Sequence, residues 1–319
     1  MTPERRAVID VGTNSVKLLV AEVAGNGVHP IYETGVQTRL GERLGATRQL
    51  QPNAIARTVS VVTDFVATAR TRGAQRVRLF ATSAAREATN GQDLVAALRQ
   101  AVGLPLEIIS GLQEATWAFQ GARTHPQFAR GPLLLLEVGG GSTQCVFGLD
   151  DQVQARVSIP VGAVRLLERF SPSDPPQPEE LSTADDWLKD FLRRELHPVL
   201  APALQQLERE QPAPRSTVQS VGVGGTAVVL ARMEMQRSDY NRERIEATRL
   251  SRACLAQWVS RLWTLPRVAR QSLPGLPAER ADIILTGALI YQAVTETLDF
   301  RELRVCTRGL RFAAVAGAE

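Results

Sequence analysis

Lysine is nearly missing from this chain. Lys17 and Lys189 are the only two, so arginine carries almost all of the positive charge behind a net +4. Arginine's planar fork suits phosphate, and the basic balance fits either an anionic ligand or plain compositional bias. No basic run is interleaved with aromatics and no RNA-binding signature occurs, so nucleic acid is not an expected partner. Cysteine is scarce as well. Cys145, Cys254 and Cys306 are scattered without a C-x-x-C spacing, which excludes a disulfide framework and leaves three small buried thiols as the expectation. His29, His125 and His197 form no H-x-x-x-H pair and no zinc cluster. No apolar run approaches the roughly 18 residues of a membrane span. Met1-Thr-Pro-Glu-Arg-Arg6 leads into a strand-like run with no cleavable apolar segment, so no membrane partner is expected and the cytoplasm is the expected compartment.

What the chain does hold is a globular composition, 44% hydrophobic and 22% charged, over 319 residues. That length suits two domains of ordinary size, each with its own core. The division is expected near residue 125, giving domains of 1–125 and 126–319. The first opens with an apolar run at Ala7–Asp10, a turn at Gly12–Ser15 and a β-rich run at Val16–Val23. A third strand is expected at His29–Thr38 after the turn Gly25–Gly27. Helices are expected at Pro52–Arg72, Asp93–Val102 and Glu114–Ala122, with strands at Val77–Ala81 and Leu106–Ile109.

The pattern then restarts: strand at Leu133–Val138, turn at Gly139–Ser142, strands at Thr143–Leu149 and Val153–Ile159. An offset of 127 puts Asp10 on Glu137, Gly12 on Gly139 and Ser15 on Ser142, a repeat at domain scale that argues for duplicated domains facing one cleft. Ser171–Pro178 reads as a surface linker, Ser182 or Thr183 as the cap of a helix that Pro198 and Pro202 break, and Gln211–Pro214 as a second linker. Val218–Val223 is a strand, followed by helices near Gly224–Arg232, Arg252–Leu262 and Glu279–Thr297. A strand at Leu303–Cys306 and a helix near Leu310–Ala316 close the chain.

Five places could carry chemistry. In Asp10-Val-Gly12-Thr13-Asn14-Ser15, glycine lets the backbone approach an anion, turn amides and hydroxyls supply donors, and Asp10 could hold a metal or its water. The plain alternative is a hairpin turn with Asx chemistry. In Glu137-Val-Gly139-Gly140-Gly141-Ser142-Thr143, three consecutive glycines cost backbone entropy, which favours a phosphate cradle. Ala81–Arg86 offers helix-start amides, two hydroxyls and an arginine, or merely a Ser/Thr cap. In Ser110–Ala115, Glu114 could orient water, or simply match a helix dipole. Gly222-Val-Gly224-Gly225-Thr226 could lie against a phosphate chain, or be a tight strand-to-helix loop.

Together and in order, these segments resemble the Ppx/GppA phosphatase family within the actin, sugar kinase and heat-shock ATPase superfamily. The stretches Ile9–Val20, Ala81–Asn90, Ile109–Ala115, Val138–Thr143, Gly222–Thr226, Gly275–Asp282 and Arg308–Arg311 carry the resemblance across essentially the whole chain. It implies an α/β fold of two actin-like, ribonuclease-H-like domains, each a mixed five-stranded sheet with helices, separated by a cleft. It implies inorganic polyphosphate or guanosine pentaphosphate as substrate and a divalent metal, usually Mg2+. Carried over by residue, Glu114 matches the catalytic glutamate. Arg86, Gly12–Ser15 and Gly139–Ser142 match phosphate-binding groups, and Lys17, Thr143, Gly224, Gly225 and Thr226 are counted with them. Glu137, with Asp10, is expected to hold the metal. Relatives often dimerise, so a homodimer is the corresponding expectation, and the chain resembles the short two-domain form.

The departures fall at the site. Glu137 stands where the family has aspartate, Gln144 where it has glutamate, Cys306-Thr307 where Ser-Asp is common, and Phe312 where glutamate is usual. Fewer carboxylates imply weaker metal recruitment. The expected reaction is hydrolysis of a terminal phosphate, with Glu114 activating water and domain closure excluding bulk solvent. The rivals are a binding protein or sensor for polyphosphate or guanosine tetraphosphate, an actin-like ATPase or sugar kinase, and a purely structural partner.

Overall fold

The structure, a computed structural model, describes residues 3–25, 27–210 and 217–317. The linker expected at Gln211–Pro214 and Asn26 of the first hairpin turn lie outside the described residues. The chain forms two compact units: residues 1–124 with 309–319, and residues 125–308.

The first unit holds β1 (Glu4–Val11), β2 (Ser15–Ala24), β3 (Gly27–Gln37), β4 (Arg76–Ala81) and β5 (Leu106–Ile108). They lie in the order β3-β2-β1-β4-β5, with β1–β2–β3 antiparallel and β1–β4–β5 parallel. β1 is apolar at Ala7–Ile9 and again at Val11, where both faces of the sheet are covered. Ala7, Ile9 and Val11 join one core with Val16, Leu18, Leu79 and the helix Pro52–Thr71. Val8 points the other way, into a core with Leu19, Phe80 and Trp117. This is the period of two expected of a strand, with both phases buried.

That second core includes Leu310, Phe312, Ala313, Ala314 and Val315 from the helix Leu310–Ala316. Residues 309–317, expected in the second domain, therefore pack with the first. The contact is close. A Cβ on Gly121, in the helix Gly111–Arg123, would lie 2.0 Å from the carbonyl oxygen of Gly309.

The second unit holds β6 (Pro132–Val138), β7 (Thr143–Leu149), β8 (Gln152–Ile159), β9 (Gln219–Val223), β10 (Arg249–Ser251) and β11 (Glu302–Val305). Their order is β10-β11-β9-β6-β7-β8. Read from the other edge, the first five repeat the arrangement of the first unit. β10 adds a sixth strand, antiparallel to β11, where five were expected. Both units thus have the actin-like arrangement, an antiparallel three-strand meander continued by parallel strands.

Between β8 and β9 the helix Pro178–Glu195 starts earlier than Ser182 or Thr183 suggested. Its cap is Gln177, in a capping box with Glu180, and Pro178 occupies the first turn. Ser182 and Thr183 instead donate their hydroxyls back to the Glu179 carbonyl. The break expected from the prolines falls at Leu196, before Pro198, while Pro202 rides inside the helix His197–Glu210. Among the described residues no helix is long and apolar enough to cross a membrane.

Candidate active site

In the first unit the parallel strands β1, β4 and β5 end along one edge, the end of an open α/β sheet where ligands bind. Three of the expected segments follow those ends. After β1 comes the turn Gly12–Ser15, closed by the Gly12 amide donating to the Ser15 carbonyl at 3.0 Å. Its outward carbonyls are taken by the segment after β3. The amides of Thr38 and Arg39 donate to Asn14 at 3.1 and 3.0 Å, and Gly41 donates to Thr13 at 2.8 Å. After β4 the chain turns at Thr82 into the helix Ser83–Glu87 carrying Arg86. After β5 it turns at Ser110, whose hydroxyl caps the helix Gly111–Arg123 by accepting from the Gln113 amide.

Arg86 and Glu114 meet across these ends. Arg86 Nη1 donates to the Ile109 carbonyl at 2.8 Å and reaches Glu114 Oε2 at 3.3 Å. Glu114 is buried and Arg86 partly exposed. Asp10 is also buried, and its Oδ1 has no hydrogen-bond partner among the described residues. Burial pushes its carboxyl above the usual range, while the charges of Lys17 and Arg311 pull it back. Lys17 lies opposite Asp10 in the β1–β2 register. Arg311 is held by the Leu18 carbonyl and Glu33 at 2.9 and 3.1 Å. Arg311 ends the stretch Arg308–Arg311 that carries the resemblance, but only the return of the terminal helix brings it beside Asp10.

The second unit repeats the hydrogen bond that closes the turn. Gly139 donates to the Ser142 carbonyl at 2.9 Å, matching Gly12 and Ser15. Its carbonyls are again consumed by the segment after the third strand of the meander. Ala163 donates to Gly139 at 2.9 Å, and Val164 and Arg165 donate to Gly140 at 2.9 and 3.1 Å. These amides begin the helix Ala163–Phe170, which the sequence reading did not anticipate. In both units the turn's carbonyls face the protein, an arrangement that suits its amides to an anion.

Glu137, one residue before the end of β6, lies beside Gly224, where the helix Gly224–Glu234 starts directly after β9 with no intervening loop. A Cβ on Gly224 would lie 2.9 Å from Glu137 Oε1, and Gly224 has φ +83°, so the position needs glycine twice over. Tyr291 donates to the Val223 carbonyl at 2.9 Å, and burial, with Glu137 nearby, drives its hydroxyl well above its ordinary pKa. The hydroxyls of Thr143 and Thr226, counted among the phosphate-binding groups, are committed to the carbonyls of Val161 and Val138 at 2.6 and 3.0 Å. What these two residues can offer an anion comes from their backbone. Gln144 Nε2 donates to the hydroxyls of Ser142 and Ser158 at 2.8 and 3.2 Å, so the neutral side chain props the turn. Arg280 was not singled out by the sequence. Its Nη1 lies 2.7 Å from where a Gly225 Cβ would stand, and burial lowers its pKa.

Two of the departures look different in place. Phe312 is fully buried in the second core of the first unit, so its substitution for a carboxylate is a matter of packing. Thr307 donates its hydroxyl to Glu246 Oε1 and its amide to the same oxygen at 3.2 Å, while Arg242 Nη1 donates to the Thr307 hydroxyl at 2.5 Å. A carboxylate is therefore present beside position 307, supplied by the helix Arg242–Ala247. Cys145, Cys254 and Cys306 are free and buried, and burial pushes the thiols of Cys254 and Cys306 up to about 12.

The profile of the Ppx/GppA phosphatase family matches residues 19–316. Exopolyphosphatase 2 of Mycobacterium tuberculosis is 34% identical over 307 residues, covering 93% of this chain and 92% of that protein. Exopolyphosphatase 1 of Mycobacterium bovis is 29% identical over 309 residues, covering 96% and 86%. Among solved structures, the Ppx/GppA enzyme of Aquifex aeolicus superposes with a TM-score of 0.76 at 28% identity, over 98% of this chain and 99% of the other. An exopolyphosphatase of Cytophaga hutchinsonii shares the fold, with a TM-score of 0.83 at 22% identity over 99% of both chains.

Proposed function

Since this chain belongs to the Ppx/GppA phosphatase family, we propose that it is an exopolyphosphatase, hydrolysing the terminal phosphate of inorganic polyphosphate. The observation that carries this reading is Glu114. It is buried at a helix start, 3.3 Å from Arg86, on the strand-end edge that also bears the turn Gly12–Ser15. A polyphosphate end carries several negative charges, so catalysis rests on positioning and charge neutralisation. Water bonds to the terminal phosphorus and gives its proton to Glu114. The bridging P–O bond breaks, and the shortened chain leaves with the electron pair. Arg86 orients Glu114 and offers its remaining N–H groups to the phosphate. The amides of Gly12–Ser15 hold phosphate oxygens, and the matching turn Gly139–Ser142 offers amides of the same kind within its own unit. Guanosine pentaphosphate ends in the same anhydride and is proposed as a second substrate.

The unpartnered Oδ1 of buried Asp10 is the kind of hard oxygen donor that Mg2+ takes, and Glu137 supplies a carboxylate in the second unit. Among the described residues no three His, Cys, Asp or Glu side chains gather into a metal cluster. One or two carboxylates suit Mg2+, which keeps waters and borrows substrate oxygens. When bound, it would neutralise charge on the transferred group. The test is phosphate release from long-chain polyphosphate and from guanosine pentaphosphate, with and without magnesium, for the wild type and for Glu114→Gln. Release by the variant at the wild-type rate would remove Glu114 from the mechanism.

Neutral Gln144 favours a second reading, a catalytically weak binding protein or sensor for polyphosphate or guanosine tetraphosphate. Tight binding without metal-dependent release would establish it.

A further inference from the structure

The segment between β3 and the helix Pro52–Thr71 is basic and oddly built. Residues 38–57 hold Arg39, Arg43, Arg48 and Arg57 against one acid, Glu42. Arg57 Nη2 pairs with Glu42 at 2.9 Å, and its Nε donates to the Thr38 carbonyl at 3.2 Å. The acid is thereby answered inside the segment. Arg39, Arg43 and Arg48 all have left-handed backbone, with φ of 50°, 59° and 58°. Glycine or asparagine normally takes such positions, and an arginine there carries a conformational cost. A costly residue repeated three times within ten positions points to the side chain being wanted.

The frame that presents these arginines is fixed. Leu40, Leu44 and Leu50 are buried in the first unit's core. At one end the segment is bonded to the turn Gly12–Ser15 through Thr38, Arg39 and Gly41. At the other, the Arg48 carbonyl accepts from the Thr89 amide and hydroxyl at 2.9 and 3.0 Å, and Asn90 bonds both the amide and the carbonyl of Leu50. Thr89 and Asn90 follow the helix that carries Arg86. Arg43 and Arg48 are exposed on this frame.

We infer that Arg43 and Arg48 form an outer subsite for a linear polyanion, taking phosphates further along a chain whose end occupies the turn Gly12–Ser15. This rests on the exopolyphosphatase reading and adds chain-length preference to it. Long chains reach the subsite, and a triphosphate does not. Each exposed arginine–phosphate contact is expected to contribute about threefold, roughly tenfold for the pair.

The test uses Arg43→Asn/Arg48→Asn, which keeps residues tolerant of left-handed backbone, beside Arg43→Lys/Arg48→Lys, which keeps the charge. The readouts are the ratio of kcat/KM on long-chain polyphosphate to that on tripolyphosphate, and direct binding of long-chain polyphosphate across a salt series. The asparagine pair is expected to lower the ratio about tenfold and to flatten the dependence of log affinity on log salt by about one to two. The lysine pair should retain most of both. An unchanged ratio and salt slope in the asparagine pair, or an equal loss in the lysine pair, overturns the subsite. If the wild type releases no phosphate, the binding series decides alone, so failure of the hydrolase reading and failure of the subsite are told apart. Stronger competition by single-stranded DNA than by polyphosphate of matched charge would also overturn it, by assigning the surface to nucleic acid.

Discussion

Arg86 and Glu114 are 28 positions apart in the chain, yet the guanidinium of one reaches the carboxylate of the other at 3.3 Å while holding the Ile109 carbonyl at 2.8 Å. The parallel pairing of β4 with β5 brings them together, because each follows one of these strands. Glu114→Gln keeps the shape and removes the base. Phosphate release from polyphosphate should fall by about 10²- to 10⁴-fold, the usual worth of a positioned general base. Polyphosphate binding should survive, and equilibrium binding measured beside steady-state kinetics checks both halves.

Asp10 should trade stability for function. Its folded carboxyl lies above the ordinary range because of burial, so the fold penalises its ionised form. That penalty exists at pH above the raised folded value and disappears as the group protonates on acidification. Asp10→Asn is expected to raise unfolding free energy at pH 7 by about 1 kcal/mol, with the gain shrinking toward pH 4, while phosphate release drops. Urea denaturation at the two pH values reads the sign directly.

Glu246 runs the opposite way. Burial pushes its carboxyl up, but contacts to His125 (3.2 Å) and Thr307 together outweigh this and leave it below the usual range. A depressed carboxyl contributes stability that is present above the unfolded value and is lost as pH falls through the folded one. Glu246→Gln should cost about 1–3 kcal/mol at pH 7, since Thr307 and Arg242 lose a charged partner. The gap from wild type should close in acid. A constant gap from pH 7 to pH 3 would show that packing, not charge, is what the substitution disturbs.

Gly121→Ala sets two effects of opposite sign against each other. Alanine for glycine inside a helix ordinarily stabilises by about 1 kcal/mol. Here the added methyl would meet the Gly309 carbonyl at 2.0 Å, and backbone cannot step aside cheaply. Overpacking of this kind costs about 1–3 kcal/mol, so the melting temperature should fall. A rise would mean that Gly309 does not lie against this helix.

How much of this was legible in the sequence depends on range. The two hairpins were readable because apolar runs punctuated by glycine are local signals, and the match of Gly12–Ser15 to Gly139–Ser142 extends to the closing hydrogen bond. The helix Ala163–Phe170 was not readable. Its cap, Gly162, offers no side chain, and its first amides are satisfied by the carbonyls of Gly139 and Gly140. β10 is three residues long and is made by its pairing with β11. Ser182 and Thr183 have the chemistry of caps, but Gln177 with Glu180 does that work one turn earlier. At the candidate site, residue types were recoverable and neighbours were not. Phe312 read as a missing carboxylate until its burial beside Trp117 and Phe80 was visible.

The return of Leu310–Ala316 to the first unit has a consequence for how the protein is made. The sheet of the first unit has two faces, and one stays incompletely covered until the residues that follow the second unit have left the ribosome. Val8, Leu19, Phe80 and Trp117 must wait, partly wet, through the synthesis of the entire second unit. Assembly of the first unit is therefore split in time around that of the second, and a nascent chain stalled late in translation would expose a ready surface for chaperones.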